Sequence, residues 1–213
     1  MTPITTPPAV EMDEVVRLLA AHGTTRSYPR NAVIITEGET SDSLFVILSG
    51  RLKVFMSDHE GREVVLDMLG PGQYVGEMSF DDMPRSASVM TLESSSLAVL
   101  SGRQFRDFVA GNPDATTHFI RNIIRRARMA NEKIRGLALM DVYGRVARLL
   151  VDHAVEKNGR RVVEEYHTQS DIAHIVCCSR EMVSRIFKDL VSGGYVAIED
   201  KRIFLLKPLP SRW

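Results

Sequence analysis

The stretch at 167–188, His-Thr-Gln-Ser-Asp-Ile-Ala-His-Ile-Val-Cys-Cys-Ser-Arg-Glu-Met-Val-Ser-Arg-Ile-Phe-Lys, constrains the fold more than any other part of the chain. Thr168 stands where a helix N-cap would, and Asp171 follows at capping-box spacing. Ile172, Ala173 and Val176 give the ensuing helix an inner face, and Ala173 is small enough for a second helix to cross closely. Ser179 then caps that second helix. Val183, Ile186, Phe187 and Leu190 recur at helical spacing and point inward. The opposite face carries Arg180, Glu181, Ser184, Arg185 and Lys188. Two capped helices joined by a tight turn form a helix-turn-helix, and the second helix has a face suited to base edges. Arginine can bond guanine O6 and N7 together, and glutamate can accept from cytosine N4. Thr168, Gln169 and Ser179, at the helix starts, complete the expected DNA-facing set.

Upstream the pattern changes. Runs rich in β-formers at 32–36, 43–48, 51–56, 62–69, 87–91 and 96–100 alternate with turns such as Ser49-Gly50 and Gly70-Pro71-Gly72. Short strands at this spacing predict a sandwich or barrel. Ser101 caps a short helix through Phe105 and Phe108 to Gly111. A long helix is predicted over 112–139. Along it Ile120, Ile123, Ala127, Ala130, Ile134 and Leu137 recur at intervals of three and four, an a/d seam. The two alanines allow close approach of a second helix, so the seam predicts a homodimer. Phe119, Ile124 and Met129 are expected to pack on the helix's own β-domain. Asp141 caps the following helix, which places a hinge near 139–141.

Gly193-Gly194 ends the second DNA helix, and 195–198 with 202–206 form a hairpin. Together with 161–163 they predict a winged helix-turn-helix, in which Lys201 and Arg202 can meet phosphates. The expected fold class is α+β. A β-domain with its long helix occupies 1–139, and the DNA-binding domain occupies 140–213.

With 27 basic and 27 acidic residues, no global field draws the chain to nucleic acid, so DNA affinity must come from a local patch. The start, Met-Thr-Pro-Ile-Thr-Thr-Pro-Pro, lacks the basic flank and apolar core of a signal peptide, and no apolar run reaches membrane-spanning length. The expected location is cytoplasmic, with no membrane partner. The only cysteines are the adjacent Cys177 and Cys178. A bridge between neighbours is strained, and two ligands cannot close a zinc or iron–sulfur site. Packing in the turn is their expected role, with redox chemistry as the other reading.

Cys178-Ser-Arg-Glu-Met-Val-Ser-Arg185 resembles the recognition-helix signature of the CRP/FNR regulator family. The resemblance spans roughly residues 25 to 207. It implies that Arg180, Glu181 and Arg185 read a TGTGA-type half-site, and that a dimer reads a palindromic operator. It also implies RNA polymerase as a partner. Family members usually have Gly where this chain has Cys177; that position commonly needs positive φ, at a cost of roughly 1 kcal/mol for a residue with Cβ.

Gly76-Glu-Met-Ser-Phe-Asp-Asp-Met-Pro-Arg-Ser-Ala-Ser88 resembles the phosphate-binding cassette of cyclic-nucleotide-binding domains. The resemblance implies a nucleotide site built from Gly76, Glu77, Met78, Arg85, Ser86 and Ala87. Glu77 would bond a ribose 2′-hydroxyl, Arg85 the phosphate, and Ser86 would add a hydroxyl donor. A buried arginine suits bidentate phosphate contact. The cassette is short, and Asp81 and Asp82 within it would disfavour a second phosphate.

In the family a Thr-Ser pair on the long helix reaches the adenine amino group. Ala130 and Asn131 stand there in this chain. The Asn131 amide can read a purine edge; Ala130 cannot. Cyclic AMP is therefore the expected effector and cyclic di-GMP the rival, with Arg121, Arg125, Arg126 and Arg128 available to a second phosphate. A ligand-independent regulator on the same scaffold is a further reading.

A cupin-like metalloenzyme is the alternative from another class. It would need clustered histidines on facing strands, whereas the β-region holds only His59, with His22 before it. No nucleophile–base arrangement stands near the cassette. A haem sensor would have to draw on His22, His59 or His118. The reading is of a protein that is not an enzyme and holds no metal.

Overall fold

A helix that the apolar pattern did not announce, α1 (Glu14–Ala21), precedes the strands in the computed structural model, which describes residues 12–61, 63–157, 159–163, 168–200 and 202–210. The Asp13 side chain accepts from Val15 N to cap α1, and Val16 and Leu19 are its buried side. The chain divides into two units, residues 1–125 and 126–213.

The first unit continues with β1 (Thr24–Tyr28), β2 (Val33–Ile35), β3 (Leu44–Ser49), β4 (Leu52–Ser57), β5 (Glu63–Leu69) and β6 (Tyr74–Val75). A 3-10 turn at Glu77–Asp81 leads to β7 (Ser88–Thr91) and β8 (Ser95–Leu100). These strands make two antiparallel four-stranded sheets, ordered β1-β8-β3-β6 and β2-β7-β4-β5. Alternation along β3 separates two cores. Phe45 and Ile47 face a core with Ile35, Leu52, Leu69, Val75, Val89 and Leu97. Leu44 and Val46 face the other way, toward Val16, Leu19, Phe105, Phe108 and Phe119.

Those phenylalanines come from α2 (Gly102–Gly111) and α3 (Pro113–Leu139). Ser101 caps α2 in a full capping box with Gln104. The expectation that Phe119, Ile124 and Met129 all pack on the helix's own β-domain needs correction. Phe119 is 6% exposed, but Ile124 and Met129 are 48% and 50% exposed. A helix 27 residues long can lay only part of its length on one compact sheet, and Ile124 and Met129 fall outside the part that does.

In the second unit, α4 (Val142–Asp152) is capped by Asp141, whose carboxylate accepts from Gly144 N at 2.6 Å. Then come β9 (Ala154–Lys157), β10 (Arg160–Val163), α5 (Gln169–Ile175), α6 (Arg180–Ser192), β11 (Val196–Glu199) and β12 (Arg202–Leu205). The strands form one antiparallel sheet, β11-β12-β10-β9. Tyr143, Val146, Leu150, Ile172, Val183, Phe187 and Leu190 share its core with Val196 and Ile203. This is a winged helix-turn-helix with the expected hairpin and a further edge strand. Among the described residues, no helix is long and apolar enough to cross a membrane.

Candidate functional site

The cassette begins at a glycine that no other residue could replace without rearrangement. Gly76 has φ +100°, and a Cβ there would lie 2.5 Å from the Ser43 carbonyl oxygen. That close approach lets Arg85 reach inward. Arg85 is 6% exposed, and its guanidinium Nε donates to Ser41 Oγ at 2.9 Å, Nη1 to Gly76 O at 3.0 Å and Nη2 to Ser43 O at 2.5 Å. The Arg85 backbone is held as well: its N–H donates to Glu39 O, and its carbonyl accepts from Gly38 N. Burial pulls the Arg85 pKa below its ordinary value, opposed by the charges of Asp42 and Glu77.

Five other residues named for the nucleotide site are near in chain or contact. Glu77 and Ala87 are buried, and Ser86 Oγ donates to Met78 Sδ at 3.3 Å. The two acids in the cassette have structural work. Asp81 accepts from Met83 N at 3.1 Å, and Asp82, at φ +59°, lies 3.8 Å from the Arg106 guanidinium of α2. Asn131 lies in the second unit and is exposed on α3.

Along α3 the seam faces solvent. Ile120, Ile123, Ile134 and Leu137 are 53%, 56%, 64% and 45% exposed, and Ala127 and Ala130 between them are exposed too. Arg121, Arg125 and Arg128 are also exposed, and Arg125 donates to Asn122 Oδ1 at 2.9 Å.

In the helix-turn-helix, Thr168 and Asp171 form a reciprocal capping box, and Ser179 Oγ accepts from Met182 N. Val183, Ile186, Phe187 and Leu190 are buried, while Arg180, Glu181, Ser184, Arg185 and Lys188 are exposed. Thr168 and Ser179 are exposed, and Gln169 is half-buried. The Glu181 carboxyl is held below the usual carboxylate range by its own backbone N–H and by the Ser179 hydroxyl. Lys201 lies outside the described residues.

The turn adopts the strained conformation that its sequence implied. Cys177 has φ +53°. Cys178 packs partly against the domain core, and burial pushes its thiol pKa up. Arg145, which sequence reasoning passed over, secures this turn. Its guanidinium donates to Val176 O at 2.8 Å, Cys177 O at 3.4 Å and Met140 O at 2.9 Å. Through the Val176 and Cys177 oxygens it satisfies carbonyls that the end of α5 leaves without helical partners. Ser41 was passed over for the same reason: its bond to Arg85 spans 44 residues, and no local pattern signals it.

Residues 25–112 match the family described as cyclic nucleotide-binding domain, and residues 144–208 match the Crp-like helix-turn-helix domain. The chain is 32% identical over 183 residues to the CRP-like cAMP-activated global transcriptional regulator of Mycobacterium tuberculosis, covering 84% of this chain and 82% of that protein. It is 30% identical over 198 residues to the cAMP-activated global transcriptional regulator CRP of Escherichia coli O6:H1, covering 91% and 94%. A structure of the c-di-GMP responsive global regulator CLP from Xanthomonas campestris superposes with a TM-score of 0.72 at 25% identity, covering 91% of this chain and 98% of that one.

Proposed function

This chain belongs to the CRP/FNR family of transcription regulators, and from that premise we propose that it binds cyclic AMP and, as a homodimer, a palindromic TGTGA-like operator. The family is one of regulators, not enzymes. In this reading residues 1–139 form the sensor with its dimerisation helix, and 140–213 form the DNA-binding domain. Gly76, Glu77, Met78, Arg85, Ser86 and Ala87 hold the nucleotide, with Asn131 at its base. Thr168, Gln169, Ser179, Arg180, Glu181, Ser184, Arg185, Lys188 and Lys201 meet DNA. Ile120, Ile123, Ala127, Ala130, Ile134 and Leu137 form the dimer seam. RNA polymerase is the further partner, and the protein works in the cytoplasm.

The observation that carries the ligand reading is Arg85, a residue 6% exposed whose guanidinium donates to oxygens of Ser41, Ser43 and Gly76. Burial disfavours the Arg85 cation more than the charges of Asp42 and Glu77 favour it, and an anionic phosphate that takes over some of those bonds makes up the difference. The cyclic AMP reading draws on the relatives named above, whose activator is cyclic AMP.

A second reading, cyclic di-GMP, is favoured by the likeness to CLP and by the exposed Arg121 and Arg128 on α3. Calorimetric titration with cyclic AMP, cyclic GMP and cyclic di-GMP in parallel decides between them. Cyclic AMP is expected to bind tightest. Preference for cyclic di-GMP would install the second reading, and no heat from any of the three would leave a ligand-independent regulator.

A further inference from the structure

The cassette carries two methionines, Met78 and Met83, which are 60% and 62% exposed. They differ in what they touch. Met78 stands in the 3-10 turn, and that turn brings its thioether to a residue eight positions on: Ser86 Oγ donates to Met78 Sδ at 3.3 Å. Met83 bonds instead through its backbone, whose N–H donates to Asp81 Oδ1 at 3.1 Å.

The Ser86 hydroxyl is the one that meets the phosphate in the reading above. It has to leave Met78 Sδ to do so. That exchange is favourable, because a thioether sulfur is a weak acceptor and a phosphate oxygen is a charged, strong one. A stronger acceptor on Met78 would hold the hydroxyl back.

Resting on that cyclic-nucleotide reading, we infer that Met78 is a modification site for hydroperoxides, and that its sulfoxide weakens the nucleotide site by holding the Ser86 hydroxyl. A sulfur lone pair attacks hydrogen peroxide, an S–O bond forms and the O–O bond breaks. The proton on the transferred oxygen passes to the departing hydroxide, which leaves as water. The thioether is oxidised by two electrons and the peroxide is reduced. Oxidation turns a flexible apolar side chain into a polar one, and methionine sulfoxide reductases reverse it. Met78 is exposed and has three rotatable side-chain bonds, so it can turn the new oxygen onto Ser86. The Arg85 bonds to Ser41, Ser43 and Gly76 do not involve Met78, so the loss is partial.

The test uses the full chain, with cyclic AMP as probe. Protein is treated with hydrogen peroxide and then with dithiothreitol, which returns disulfides and sulfenates of Cys177 and Cys178 to thiols and leaves sulfoxides in place. Tandem mass spectrometry locates the added oxygen. Calorimetry of the unaltered protein should show affinity falling roughly three- to tenfold, the weight of one neutral hydrogen bond, and returning after methionine sulfoxide reductase. Met83→Leu should show the same fall. Met78→Leu, compared with itself before and after peroxide, should show none. In Ser86→Ala there is no hydroxyl to hold, so oxidation should change affinity by less than about twofold. Circular dichroism of the oxidised protein, expected to match that of the untreated, separates capture of the hydroxyl from loss of the fold.

Unchanged affinity with Met78 converted would overturn the inference while leaving the cassette reading in place. So would a fall that persists in Met78→Leu or Ser86→Ala, or a Met78 that resists peroxide while Met83 is converted. Failure of the untreated protein to bind cyclic AMP would remove the cyclic AMP reading and this one with it.

Discussion

Arg85 Nη1 donates to the Gly76 carbonyl at 3.0 Å, closing the cassette across nine positions of chain. The two residues depend on each other. The positive φ of Gly76 brings its backbone against Ser43, and Arg85 binds both carbonyls at once. Arg85→Ala is expected to weaken nucleotide binding by at least about tenfold, the weight of a charge-assisted contact. Arg85→Lys keeps the charge without the fork and should recover only part of the loss. Calorimetry on both variants checks this; unchanged affinity for every cyclic nucleotide would remove Arg85 from the site.

The exposed seam on α3 supports a prediction about assembly. Ala127→Glu combined with Ala130→Glu sets like charges where two helices would approach closely, and monomers without operator binding are expected. Sedimentation velocity reads the outcome. An intact dimer in the double variant would place the interface elsewhere.

On α6, Arg180 is exposed at the first helical position. Arg180→Ala should lose about 1–3 kcal/mol at each half-site and blur preference at one base pair. Fluorescence anisotropy against a panel of operator variants at fixed salt measures both. A uniform loss across the panel would make Arg180 a phosphate contact instead.

The turn before α6 carries removable strain. Cys177 sits at φ +53°, where a glycine meets no Cβ penalty. Cys177→Gly should raise the stability of the DNA-binding domain by roughly 0.5–1 kcal/mol, offset in part by the greater freedom of glycine in the unfolded chain. Urea unfolding shows it as a higher midpoint with unchanged slope. A destabilised variant would mean that the Cys177 side chain contributes more packing than its backbone costs.

If ligand gates DNA binding, the two must be linked. Operator DNA must tighten nucleotide binding by the factor by which nucleotide tightens DNA binding. Nucleotide titrations with and without operator at one salt concentration test this. Equal affinities would describe a constitutive DNA binder.

What the sequence determined by itself lies within one helical turn or one strand. Ser101, Asp141, Thr168 and Ser179 cap the helices they precede, because a cap and the N–H it accepts are at most three residues apart. The inward residues of α6 were readable for the same local reason, whereas the positive φ at Cys177 was expected from the family resemblance, in which Gly usually stands there. Other features were not. α1 is eight residues long, too short for periodicity to stand out, and β1 reads Thr-Thr-Arg-Ser-Tyr, polar and mostly exposed, a strand because β8 pairs with its backbone. Tertiary structure alone decided that Arg145 closes a turn 31 residues away and that Ser41 holds Arg85. It also decided that Phe119 on α3 is buried while Ile124 and Met129 are exposed. Caps and periods arise from neighbours along the chain, whereas a buried guanidinium or an exposed isoleucine depends on which distant segment packs beside it, and only the folded chain settles that.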